Sequence, residues 1–124
     1  MTRRRRFELL PPSLVLDALC DRVGEANGIS ARNLVEQLHG CYDPALERHL
    51  RTVIEGLRND GHPIGGLPTT GYYFAGNDKE LNHTCEFLYA RAMTSLRQIA
   101  AMKRVSLPEL RGQLRLPLSE DQAA

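Results

Sequence analysis

The chain has 124 residues, enough for one hydrophobic core and too few for two. With 42% hydrophobic and 25% charged residues it has a globular composition, outside the ranges of disordered and membrane-spanning chains. The net charge of +1 hides an uneven distribution: residues 1–12 carry four arginines against one glutamate, residues 13–76 carry five basic against eight acidic side chains, and residues 77–124 are nearly balanced.

Residues 1–12 read as a basic flexible arm, because Arg3, Arg4, Arg5 and Arg6 repel one another and Pro11-Pro12 delays the first helix. Glu8, the prolines and Asp17 interrupt the first apolar run before it reaches the length of an export signal. No other stretch approaches membrane-spanning length, so a soluble, cytoplasmic protein with no membrane partner is expected. Cys20, Cys41 and Cys85 are odd in number and far apart, which argues against a disulfide framework.

Ser13 is the expected N-cap of a first helix over residues 13–25, with Val15, Leu16, Ala18, Leu19 and Val23 facing inward. Ser30 caps a second, short helix whose buried side is Leu34, Val35 and Leu38, and Gly40 stops it. A third helix opens with Asp43 as N-cap and Pro44 at the first helical position, where a missing N–H costs nothing. Leu46, Leu50, Val53, Ile54 and Leu57 follow at steps of three and four and form its inner face. Arg48, Arg51, Thr52, Glu55 and Asn59 stand opposite, free to touch a partner.

Gly61 supplies a left-handed helix end, and Pro63 keeps the chain that follows extended. Tyr72-Tyr73-Phe74-Ala75 is the most β-prone run, and residues 66–71, with glycine at both ends and a proline inside, form the turn of a hairpin. The sequence LRNDGHPI, a short loop and GYYFA together resemble the recognition helix and wing of winged helix-turn-helix domains, particularly small prophage-encoded ones. The resemblance covers residues 13–76. It implies a mostly α fold of the α+β kind, a winged helix-turn-helix with a β-hairpin wing and a long C-terminal helix.

Double-stranded DNA is the partner this implies, in a phage-type accessory or regulatory role in replication or transcription. The third helix would enter the major groove with Arg48, Arg51, Thr52 and Arg58, the wing would contribute Thr69 and Thr70, and the arm Arg3, Arg4, Arg5 and Arg6. The acidic balance of residues 13–76 supports a second reading, a non-enzymatic adaptor for replication or host proteins, since nonspecific DNA affinity comes largely from lysine and arginine.

Asn77-Asp78-Lys79-Glu80 has the form of a capping box and starts a long helix over residues 77–105. Leu81, Cys85, Leu88, Ala92, Leu96, Ile99 and Met102 keep steps of three or four along it. A stripe this long exceeds what the preceding domain can cover, so a homodimer joined through it is expected. Residues 106–124 read as a flexible tail broken by Pro108, Gly112 and Pro117. Within it Gln113-Leu114-Arg115-Leu116-Pro117-Leu118 is similar to the linear motif by which bacterial replication and repair proteins bind the sliding clamp. That resemblance implies an extended peptide contact made by Gln113, Leu114, Leu116 and Leu118.

Chemistry beyond binding finds little support. Asp17, Asp21, Glu25 and Glu36 fall on outer helix faces, and Gly65-Gly66 with Gly71 lacks the lysine and helix start of a phosphate-cradling loop. His39 and Cys41 have no further ligands at familiar zinc spacing. No enzymatic activity, cofactor, metal or small-molecule substrate is expected.

Overall fold

The computed structural model describes residues 2–114. The elements in order are α1 (Arg3–Leu9), α2 (Pro12–Cys20), a single 3₁₀ turn (Glu25–Asn27), α3 (Ala31–His39), α4 (Pro44–Asn59), β1 (Ile64–Leu67), β2 (Gly71–Phe74), α5 (Asp78–Lys103) and α6 (Leu107–Leu114). The fold is mostly helical with one two-stranded antiparallel hairpin, an α+β arrangement. Among the described residues no helix is long and apolar enough to cross a membrane. The chain divides into two compact units, Met1–Cys85 and Glu86–Ala124, so the first unit takes in the opening turns of α5.

The core of the first unit is built mainly on α4. Leu46, Leu50, Val53, Ile54 and Leu57 are all buried there, against Val15 and Leu19 of α2 and Leu34 and Val35 of α3. The expected caps are present: Ser30 Oγ accepts from the Asn33 amide at 3.1 Å and Asp43 Oδ1 from the Ala45 amide at 2.9 Å. Each satisfies one of the amides that a helix start leaves without an intrahelical partner. Gly40 and Gly61 take the left-handed conformation that ends their helices.

The hairpin pairs Ile64 with Phe74 and Leu67 with Gly71 at its two ends. The other edge of β2 is also occupied, because Tyr72 and Ile29 exchange two backbone hydrogen bonds, and Phe74 bonds to the Arg22 carbonyl and the Gly24 amide. Gly71 lies against this third strand segment. It has a φ of +75°, and a Cβ there would run into the Ile29 carbonyl.

Three expectations are corrected. Residues 1–12 do not form an arm without regular structure: Arg3–Leu9 is helical, Thr2 caps it, and Leu10 is fully buried. The first core helix starts at Pro12 and stops at Cys20, leaving Val23 about half exposed instead of inward. It stops because the backbone of Arg22 and Gly24 is needed by the open edge of β2. The tail is helical over Leu107–Leu114, where Ser106 and Glu109 form a reciprocal capping box and Pro108 falls in the tolerant first turn.

In the second unit α5 is followed by Arg104, a non-glycine residue in the left-handed region with φ of 55°. Ala100 and Leu110 are its buried apolar residues among those described.

Candidate nucleic-acid interface

The outer face of α4 carries Arg48, Arg51 and Thr52, all three exposed. Arg51 pairs with Glu47 at 3.4 Å across one helical turn, an exposed contact of little energetic weight that leaves the guanidinium available. The Thr52 hydroxyl donates back to the Arg48 carbonyl at 3.4 Å. Glu55 stands on the same face and lowers its positive potential.

Arg58 has a different role from the one expected of it. It is half-buried, and its Nε donates to the Ile64 carbonyl at 2.8 Å, tying the end of α4 to the first strand. Burial pushes its pKa down, with Tyr72 and Glu55 acting in the opposite direction. At the hairpin tip Thr69 is exposed, whereas Thr70 is half-buried with its hydroxyl on the Gly71 carbonyl at 3.0 Å. The tip therefore offers one free threonine.

Helix α1 packs against α4. His49, only 8% exposed, is the hinge of that contact: its Nε2 lies 3.3 Å from the Leu10 carbonyl, and its ring sits 5.6 Å from that of Phe7. Burial lowers the His49 pKa, the Leu10 carbonyl opposes this, and the charges of Arg6 and Arg3 add to the lowering. A neutral ring donating through Nε2 satisfies the carbonyl. Phe7 faces a cleft shared with Thr52 and Gly56 of α4. Arg3 and Arg4, four and three residues before Phe7, lie on the same side of α1 and line the open surface next to it.

The four arginines are thus presented by a docked helix. Arg3, Arg4 and Arg5 are exposed and Arg6 is half-buried; Arg4 also pairs with Glu8 at 3.3 Å. Sequence reasoning missed His49 and Leu10. His49 stands three residues after Leu46 and four before Val53, so its place on the edge of the apolar stripe was open to inspection as a signal.

The hairpin is held on the first turns of α5. The Gly66 amide donates to Thr84 Oγ1 at 2.9 Å, Thr84 and the Tyr73 hydroxyl are 3.0 Å apart, and Tyr73 donates to the Glu80 carbonyl at 3.0 Å. Asn77 caps α5 by accepting from the Glu80 amide at 2.9 Å. The Glu80 carboxylate does not close the box on Asn77. It accepts instead from the amides of Glu25 at 2.7 Å and Gly76 at 2.9 Å, which hold its pKa below the usual carboxylate range.

The stripe residues of α5 are unequal. Leu81, Leu96 and Ile99 are half-buried, Cys85 and Ala92 are exposed, and Leu88 and Met102 are 40% and 78% exposed. Gln113 and Leu114 are the last described residues of α6, with Gln113 Oε1 accepting from Lys103 Nζ at 3.4 Å and Leu114 exposed. They are helical, in contrast to the extended form expected for a clamp-binding peptide. Leu116 and Leu118 lie outside the described residues. Among the described residues no cluster of three or more potential ligands could hold a metal ion.

No protein-family model, no curated protein and no solved structure matches the chain.

Proposed function

We propose that the first unit is a winged helix-turn-helix that binds duplex DNA in a phage-type accessory or regulatory role, as a dimer through α5. The observation that carries the reading is the docking of α1 on α4. It sets Arg3, Arg4 and Arg5 on a helix packed against the one that bears Arg48 and Arg51, so two neighbouring helices of an otherwise acidic unit both carry cations. Phosphate neutralisation supplies most nonspecific affinity, and clustered arginines concentrate it. Thr69 at the hairpin tip adds a donor for a second backbone contact. Arg6, Arg58 and Thr70 have less part in this than Arg3 and Arg51, since each is half-buried.

The test is binding to a mixed-sequence duplex as a function of salt. Replacing Arg48 and Arg51 with alanine is expected to weaken binding and to flatten the log–log salt slope by about one for each phosphate left unneutralised. Wild-type protein that shows no salt-dependent duplex binding would overturn the reading.

One observation favours the adaptor as second reading: Asp17, Asp21, Glu36 and Glu55 are all exposed on the first unit, a surface suited to basic protein segments.

A further inference from the structure

Three locally unfavourable choices meet at one place between α1 and α4. Gly56 stands inside α4, where glycine weakens a helix relative to alanine, yet a Cβ there would meet no atom within 4 Å. Nothing in the fold requires that glycine. Asp60 caps the C-terminal end of α4, the end at which the helix dipole disfavours a negative charge. Phe7, an aromatic ring on an arginine-rich helix, is left 48% exposed. All three line the same cleft of about 150 Å³, together with His49 and Thr52. Departures from local rules that cluster in space mark functional sites more often than departures scattered over a surface.

We propose that this cleft takes one unpaired nucleobase of a single-stranded DNA segment, stacked on Phe7, with a flanking phosphate on Arg3 and Arg4. It rests on the claim above that the α1–α4 face meets nucleic acid. The volume is below that of sites for drug-sized ligands and admits one flat ring or one side chain. Phe7 supplies an aromatic face, on which any base can stack. Arg3 and Arg4 line the surface that continues from Phe7, with Glu8 beside them paired to Arg4, so the sugar–phosphate chain leaving a stacked base meets two cations against one carboxylate. Asp60 selects among bases. Its carboxylate accepts from an exocyclic amine, as carboxylates do from the cytosine amino group, and has no such partner on thymine. A leucine or phenylalanine from an acidic protein segment would fill the same space but would leave the Asp60 carboxylate facing carbon.

Fluorescence anisotropy of the full chain with labelled oligodeoxycytidine, oligothymidine, a mixed-sequence duplex and an acidic leucine-bearing peptide tests this. Oligodeoxycytidine is expected to bind more tightly than oligothymidine, and Asp60→Ala to narrow that difference. Phe7→Ala is expected to weaken oligodeoxycytidine binding by about 5- to 100-fold, the range of a missing base–aromatic stack. Gly56→Leu fills the cleft while favouring the helix, so its equal loss of binding, with an unchanged circular-dichroism melt, separates blockage from unfolding. Binding of oligodeoxycytidine by both variants at wild-type strength overturns the proposal. So does a cleft that Gly56→Leu closes to the peptide but not to single strands, which assigns it to a protein partner. Duplex binding that depends on Arg48 and Arg51, without any single-strand binding, removes the cleft proposal alone; single-strand binding through Phe7 without duplex binding upholds the cleft and removes the duplex reading.

Discussion

His49 couples the stability of the first unit to pH. Its ring is buried under α1, next to Phe7 and the Leu10 carbonyl, with Arg3 and Arg6 on the helix above and Asp60 lining the neighbouring cleft. Because burial lowers its pKa in the folded state, the unfolded chain takes up the proton first. Stability is then complete above about pH 6.5, the unfolded value, and is lost as pH falls from there through the folded value. The melting temperature is expected to decline as pH is lowered below about 6.5, and His49→Gln to flatten the decline. An equally steep decline in the variant would assign it to other groups. The buried ring is also why α1 is ordered: four arginines alone would favour separation, and Leu10, Phe7 and His49 offset that by apolar contact.

The hairpin is a small element with three attachments. A two-stranded hairpin is marginal by itself in water, and here β2 bonds to the Ile29 segment, Tyr73 and Gly66 bond to α5 through Thr84, and Glu80 ties α5 to the backbone of Glu25 and Gly76. Glu80→Gln keeps one acceptor oxygen and loses the charge that strengthens both bonds. Faster hydrogen exchange at the Glu25 and Gly76 amides is expected, with the amides of α3 unchanged; unchanged exchange at both would show that the carboxylate is not the tie. The same attachment makes a pH effect of its own. With its folded pKa depressed, Glu80 contributes stability above about pH 4.5 that disappears as pH falls through the folded value. Helix α6 shows how an element can hide in a sequence. Pro108 and Gly112 read as breakers, but proline is tolerated in a first turn and Ser106 with Glu109 satisfies the helix start.

For the molecule as a whole, the proposed self-association rests on α5. Cys85, Leu88, Ala92 and Met102 remain exposed along a helix of 26 residues, and the second unit buries few apolar side chains of its own among those described. Chain segments of that size seldom hold together without a further partner. Leu88→Asp combined with Met102→Asp is expected to convert a dimer in sedimentation velocity to a monomer with its helical content retained. A wild-type chain that sediments as a monomer at micromolar concentration would remove the dimer from the proposed function. A dimer would carry two α4 faces, one for each half-site of a duplex.

Local chemistry was enough to place α3, α4, the hairpin and α5, together with the inward positions Leu19, Leu34, Leu50, Ile54 and Leu57. Caps such as Ser30, Asp43 and Asn77, the glycine stops and the three-and-four spacing all act within a few residues, so their effect is written in consecutive letters. What depended on distant chain was out of reach. Docking of α1 needs His49, thirty-nine residues beyond Leu10. The early end of α2 needs the edge of β2, and the withdrawal of Arg58 from the outer face needs the Ile64 carbonyl. The cleft of Phe7, Gly56 and Asp60 exists only once two helices are packed. Each is an interaction whose partner the sequence names but does not position, because burial and backbone pairing across long separations are decided by the packed core.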